Sequence, residues 1–207
     1  VTVTGTGTIA ATNANGFAIY GSDSKEDVDY SVVTIDKNVT VDTKYYSAYI
    51  GANKNAAYGV EVNLNGTLKS AAYGSFYVNG SIQDTKDNYP VITIADGATL
   101  IATNNGSIYA AGYAHWNIGE ATITGTSDGL GLKAGKFTID GATIKATGED
   151  LSATVTGNGN SIQGAGAAIQ VETNASYADK IEIDIKSANI ISEKGYAFLE
   201  YVGQTNI

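Results

Sequence analysis

The chain contains no cysteine, no methionine and no arginine, and has only one proline (Pro90), one histidine (His115) and one tryptophan (Trp116). Without cysteine there are no disulfides, no thiolate chemistry and no cysteine-based zinc sites. With methionine also missing, no sulfur is left to oxidise, which suits a long-lived extracellular protein. All twelve basic residues are lysines, and the formal charge is −9. Such a surface repels a phosphate backbone and lacks the guanidinium fork that reads base edges, so nucleic acid is not an expected partner. No apolar run approaches the roughly 20 residues of a membrane helix, and no basic-plus-apolar leader is present, so no transmembrane segment is expected. The chain starts at Val1 without a methionine and reads as one domain, 1–207, excised from a larger product.

What is abundant is glycine, with 25 residues, alongside Ala, Ile, Val, Thr and Tyr. That mixture favours strands and tight turns over helices. The phrase DGATLIAT at Asp96–Thr103 returns as DGATIKAT at Asp140–Thr147, and looser copies run through the whole sequence. An aliphatic column reads Ile9, Val41, Leu68, Leu100, Ile123, Ile144, Ile162 and Ile190. The residue before it is Thr8, Thr40, Thr67, Thr99, Thr122, Thr143, Ser161 or Asn189, and the residue two after it is small. A period of two within each segment marks short strands with alternate side chains facing an interior.

A second apolar segment lies upstream of most copies, at Val3, Ile35, Val62, Ile94, Ile118 and Ile139, with Val155 and Ile185 as looser matches. A third lies downstream, where Ile19, Tyr49, Tyr77, Tyr109, Leu132, Ile169 and Phe198 superpose, and only the sixth copy lacks a good match beyond Leu151 or Ser152. Each copy therefore reads strand, turn, strand, turn, strand, loop, with about 18 to 31 residues per copy, in the range of solenoid repeats. Strands this short and this regularly punctuated pair with their equivalents in the next copy, which predicts three parallel sheets around a narrow core. About eight coils at ~4.8 Å each make a rod of roughly 40 Å.

The phrases VTVTGTGTIAAT, VITIADGATLIAT, FTIDGATIKAT and IEIDIKSANIIS resemble the right-handed parallel β-helix domains of bacterial cell-surface, adhesin-like proteins. The resemblance implies an all-β, right-handed single-stranded parallel β-helix, a pectate-lyase-like solenoid with three short strands per coil. It also implies an extracellular location on a bacterial surface, a non-catalytic role as binder or stalk, and flanking domains or self-association that cover the open ends. An antiparallel sandwich is the alternative, and would leave the copy-to-copy registry unexplained.

The same fold carries polysaccharide lyases and glycosidases, the alternative function. Resemblance to pectate lyases would imply an arginine base, and the chain has none. Hydrolysis needs carboxylates clustered on adjacent coils, whereas Asp36, Asp96, Glu120 and Asp140 fall singly at one turn of successive copies, as turn formers do. His115 has no carboxylate neighbour in sequence before Glu120, and no GxSxG elbow or P-loop lysine is present. No catalytic residue, cofactor or metal site is assigned.

Tyr30, Tyr58, Tyr89 and Tyr113 each precede a first strand by about two residues and form a candidate ligand-binding column. Tyrosine faces pair with sugar C–H surfaces while the hydroxyl hydrogen-bonds, so such a row suits carbohydrate; host surface protein is the other expected partner. The alternative is a ladder that only covers a loop edge. Long loops at GSDSKEDVDYS, GANKNAAYG and NGSIQDTKDNYP leave one side of the rod. Asp23, Glu26, Asp27 and Asp29 could hold calcium if the first loop folds back, but their spacing matches neither an EF-hand nor the nonapeptide GGxGxDxUx pattern, and a solvated acidic loop is the simpler reading. Ala10, Asp42, Lys69, Ile101, Thr124 and Lys145 break the flat threonine face that ice binding needs.

Overall fold

The computed structural model describes residues 1–24, 31–54, 56–83, 89–148, 166–173 and 181–202. Among these, every regular element is a strand, and every paired strand runs parallel to its neighbours. The first turn of the solenoid holds β1 (Thr2–Val3), β2 (Gly7–Ala11) and β3 (Phe17–Tyr20). The second holds β4 (Ser31–Ile35), β5 (Val39–Thr43) and β6 (Ala48–Gly51), and the third β7 (Val60–Leu64), β8 (Thr67–Ser70) and β9 (Phe76–Val78). The fourth is β10 (Val91–Ile94), β11 (Thr99–Ala102) and β12 (Ile108–Ala110); the fifth is β13 (His115–Ile118), β14 (Thr122–Gly125) and β15 (Asp128–Leu132). In the sixth and seventh turns the first two strands fuse into the long β16 (Gly135–Ala146) and β18 (Ile181–Ser192), followed by β17 (Ala167–Thr173) and β19 (Phe198–Val202).

Third strands stack as a seven-stranded sheet in the order β19-β17-β15-β12-β9-β6-β3. First and second strands make two further stacks that join through β16 into one 12-stranded sheet. The result is a curled, solenoid-like all-β body with one strand per turn in each stack.

Like residues lie over one another, as the repeat predicts. The threonine column runs Thr8, Thr40, Thr67, Thr99, Thr122, Thr143 and Asn189 in register. Directly beside it, Ile9, Val41, Leu68, Leu100, Ile123, Ile144 and Ile190 face inward. Val41, Leu68, Leu100, Ile123 and Ile144 are all completely buried. Each such side chain contributes about 1.5–3 kcal/mol by leaving water.

Two expectations from the repeat need correction. Ile35 pairs with Leu64 rather than Val62, because the inward column of the first strands is Val3, Ile35, Leu64, Ile94, Ile118, Ile139 and Ile185. Val62 belongs to the adjacent inward column with Val33, Ile92, Trp116, Phe137 and Ile183. Both columns are apolar at the same parity, so a slip of two residues keeps the pattern intact. Second, the described residues form seven turns, not eight: β16 pairs directly with β18, and the third strand that the sixth copy lacked is β17, which contains Ile169. Leu151, Ser152, Val155, Ser161 and Ile162 lie outside the described residues.

The core is one continuous cluster from Ile19 to Val171. It includes an aromatic stack, in which Phe76 meets Trp116 edge-on at 5.2 Å and Trp116 stacks on Phe137 at 5.8 Å. A polar seam lines the corner before the third strands: Ser47, Ser75 and Ser107 are all fully buried. Ser75 Oγ donates to the Ser107 carbonyl at 2.8 Å, and Ser47 Oγ donates to the Lys69 carbonyl at 2.8 Å. The Ser107 carbonyl also accepts from the Phe76 amide at 3.1 Å, so the buried hydroxyl adds a second bond to it. At the corner between the first and second strands, Gly97 and Gly141 adopt φ values of 80° and 92°, which a side chain would strain.

Substituting Ile123 by Asp places a carboxylate in the middle of the aliphatic column. Loss of about 4 kcal/mol or more of stability, or failure to fold, is the expected outcome in urea denaturation. An unchanged midpoint would show that Ile123 does not face the core.

Candidate functional site

The third strands alternate in and out, and parity decides which residues face away from the core, although Gln170, Lys133 and Glu172 on the outer side are themselves buried. Ala48, Phe76, Ile108, Leu130 and Ile169 face the core, as do Ile50, Val78, Ala110, Leu132 and Val171 two residues later. The residue between them must point outward. That position is Ala18, Tyr49, Tyr77, Tyr109, Gly131, Gln170 and Leu199 in successive turns. The tyrosines of the third-strand column therefore do stack on one another, but outside the core, whereas Ile19 and Leu132 lie one position away on the inner face. Ile169 does lie beside Phe198, as expected, but both sit one position from the tyrosine column, and Ile169 pairs with Leu130 rather than Leu132.

The outward tyrosines do not stand alone. Tyr49 and Tyr77 rings are 5.3 Å apart, and Tyr77 and Tyr109 are 5.0 Å apart. From the preceding corners, Tyr46 stacks on Tyr77 at 4.7 Å and Tyr45 stacks on Tyr73 at 4.8 Å. Tyr46 also meets Tyr73 at 5.3 Å, and Tyr20 tilts against Tyr49 at 6.0 Å. Seven tyrosines thus form one connected aromatic face across the first four turns. Tyr20 and Tyr73 are its most open members, at 61% and 44% exposure. Gly51 is required under Tyr20, since a Cβ there would lie 2.1 Å from the ring. Asn79 Nδ2 donates to the Tyr49 hydroxyl at 2.8 Å and fixes that ring. At the fifth turn the column becomes Gly131, and beside it opens a cleft of about 180 Å³ lined by Tyr46, Tyr109, Asn105 and Asp128.

Crowding of phenols has an electrostatic consequence. Burial pushes the Tyr46 phenol up to about 12, and phenolates forming at Tyr77, Tyr73 or Tyr49 would oppose its ionisation further.

The tyrosines singled out by sequence are distributed differently. Tyr89 and Tyr113 do meet, edge to face at 5.6 Å, but Tyr113 is only 7% exposed and packs on Ala134. Tyr89 stacks on His115 at 3.8 Å, and the Tyr113 hydroxyl lies 3.4 Å from His115 Nε2. Among the described residues Tyr58 makes no ring contact; its backbone forms an antiparallel bridge with Ser22 instead. Tyr30 lies outside the described residues, as do Glu26, Asp27 and Asp29. Asp23 is ion-paired with Lys54 in the neighbouring loop, and this partner holds its carboxyl below the usual range. Among the described residues no three His, Asp or Glu side chains converge as metal ligands.

The turn carboxylates stitch corners together. Asp36 Oδ1 accepts from the Lys37 amide at 2.7 Å, and Asp96 Oδ1 accepts from the Glu120 amide one turn on at 2.8 Å. Asp140 Oδ1 accepts from the Ser187 hydroxyl at 2.9 Å. Elsewhere, Lys133 Nζ and Glu172 Oε1 form a buried ion pair at 3.1 Å, with the side chains 1% and 3% exposed. Among the described residues Glu172 Oε2 and both amide atoms of the neighbouring Gln170 find no hydrogen-bond partner.

The chain matches no protein-family model, no curated protein and no solved structure. No helix among the described residues is long and apolar enough to cross a membrane.

Two measurements check this description. In an alkaline titration followed by phenolate absorbance, one tyrosine should ionise near pH 12, and Tyr46→Phe should remove it. Because the unfolded phenol ionises first, near pH 10, the native state holds more protons between the two values, so Tyr46 lowers stability as pH rises through that window. Separately, Lys133→Ala should cost about 3–5 kcal/mol in urea denaturation by leaving the Glu172 carboxylate buried without its cation, while the joint change Lys133→Met and Glu172→Leu recovers most of that loss. Equal instability of the single and double variants would contradict a buried pair.

Proposed function

We propose that this chain is a right-handed parallel β-helix segment of a bacterial cell-surface protein, adhesin-like and non-catalytic, whose tyrosine face binds glycans. The observation that carries this reading is the connected face of seven tyrosines. A stack of parallel strands needs no aromatic ladder on its outer surface for stability, because the core columns already fill its interior. Rings repeating 5.0–5.3 Å apart make a continuous apolar strip for the C–H surfaces of successive sugar units, with hydroxyls for hydrogen bonds. Burying Tyr46 among its neighbours holds rings rigid before a ligand arrives, which lowers the ordering cost of binding.

Composition supports the surface location. A chain without sulfur resists oxidation, and a net charge of −9 with no arginine keeps polyanions away. The turn carboxylates at Asp36, Asp96 and Asp140 are engaged in corner hydrogen bonds, a structural use that supports a binding role over hydrolysis.

A glycan array probed with the purified chain tests the reading. Binding to at least one oligosaccharide class is expected, and Tyr77→Ala should weaken it at least about fivefold through loss of roughly 1 kcal/mol of ring contact. Tyr89→Ala, which changes a ring outside the connected face, should bind like the unsubstituted chain. Absence of binding at millimolar glycan would leave a spacer and remove the adhesin-like role.

A further inference from the structure

We propose that the connected tyrosine face is an oxidative cross-linking site, at which the exposed Tyr20 and Tyr73 join this chain to a second copy of itself through dityrosine bonds, whether or not the face also holds glycans. Cysteine and methionine, the side chains that ordinarily intercept oxidants, are both absent. The one tryptophan, Trp116, is 1% exposed inside the core. Oxidising equivalents that reach the surface therefore fall on phenols. Of the 14 tyrosines in the chain, the face gathers seven into a single network.

The network has a path and two open members. Among the described residues the Tyr20 ring meets only Tyr49, at 6.0 Å, and Tyr49 leads to Tyr77 at 5.3 Å. Tyr77 stacks on Tyr46 at 4.7 Å, and Tyr46 meets Tyr73 at 5.3 Å. Rings this close pass an electron between them, so a radical formed on any one is shared along the row. Where it settles depends on the proton, because a phenol that loses an electron must also release its O–H proton. Tyr20 and Tyr73, at 61% and 44% exposure, release it to water. Tyr45, Tyr46, Tyr49, Tyr77 and Tyr109 are half-buried, and burial already holds the Tyr46 proton more tightly than usual. The radical therefore gathers at the two open rings.

Stacking also works against coupling within the face. A dityrosine bond joins the carbons ortho to two phenol oxygens, which requires ring edges in line. Tyr45 and Tyr73 instead lie face to face at 26°, and Tyr46 and Tyr77 at 19°. The open rings of Tyr20 and Tyr73 meet another copy instead. The oxidant is hydrogen peroxide, used by a haem peroxidase. Each phenol gives up one electron and one proton, the two phenoxyl radicals form a C–C bond, and the ortho hydrogens move to oxygen to restore both phenols. Peroxide takes up the two electrons and two protons and leaves as two waters. The molecule carries its own comparison: Tyr196 is 43% exposed, almost the same as Tyr73, but among the described residues it makes no ring contact. Tyr73 collects oxidation from the whole network, and Tyr196 only its own.

Treating the full chain with a haem peroxidase and limiting hydrogen peroxide tests this, at ~0.15 M salt so that like charge between copies is screened beyond about 8 Å. Covalent dimers with dityrosine fluorescence are expected, and mass-spectrometric mapping should find cross-links at Tyr20 and Tyr73 several-fold more often than at Tyr196. Tyr20→Phe should move its share of the cross-links to Tyr73 and leave Tyr196 unchanged, since only Tyr73 belongs to the network. Tyr49→Phe, which removes the one oxidisable ring beside Tyr20, should lower cross-linking at Tyr20 to the level of Tyr196. Combining Tyr20→Phe with Tyr73→Phe should lower the dimer yield several-fold with unchanged thermal unfolding, because each ring is kept and only its hydroxyl is lost. A chain that forms no dityrosine, cross-links as frequent at Tyr196 as at Tyr73, or a double variant that dimerises like the unsubstituted chain would each overturn the proposal. None of these outcomes involves a sugar, so failure here leaves the glycan reading standing, and failed glycan binding leaves the cross-linking site standing.

Discussion

In-register parallel pairing is the constraint on which everything else in this molecule depends. Each strand hydrogen-bonds to its equivalent about 4.8 Å away in the next turn, so whatever faces inward in one turn is covered by its counterpart in the next. Isoleucine lies on isoleucine at Ile123 and Ile144, and threonine on threonine at Thr122 and Thr143. A charge in such a column has two apolar neighbours along the axis and no route to water. The same geometry repeats any outward residue into a row, and a row of one side-chain type becomes a surface with a single chemistry.

That second consequence links architecture to function. Tyr49, Tyr77 and Tyr109 align because their inward neighbours do, not because tyrosines seek one another. Tyr46 and Tyr73 then join from the corners, where the Tyr46 ring stacks on Tyr77 and tilts against Tyr73. The face ends where Gly131 replaces tyrosine, and the polar cleft begins there. A rigid scaffold thus presents an aromatic row and, at its end, a pocket of different character. Elsewhere the repetition places opposite charges on adjacent turns, as with Asp42 beneath Lys69 at 3.0 Å. Such exposed pairs contribute only about 0–1 kcal/mol and serve register more than stability.

Much of this was legible in the residue pattern. The second-strand column could be read from Ile9 to Ile144 without error because the Thr-aliphatic pair gives each copy an unambiguous anchor. Where the anchor was only an apolar residue, register slipped: Val62 for Leu64 by two positions, and Ile19 or Leu132 against the tyrosines by one. A period of two tolerates a two-residue slip, and a strand with apolar residues on both faces hides even a one-residue slip. Tyr109, Ile108 and Ala110 are all apolar or aromatic, so polarity alone does not say which faces solvent. The segment VTGNGNSIQGAG before β17 reads as a further copy in sequence because it carries the same Gly, Asn and Ile punctuation.

By itself the sequence determined the all-β class, the parallel stacking and the identity of the inner Thr-aliphatic stack, because these follow from a local period and its repetition. Only the tertiary structure decided which tyrosines share a face, that Tyr113 is buried while Tyr73 is open, and that a cleft opens beside Gly106 and Asp128. Those relations depend on corner lengths that vary from turn to turn, and a corner one residue longer shifts what lies above it. The pattern along a strand is set by neighbours in the chain, whereas a site across turns is set by how far each corner carries the chain before the next strand begins.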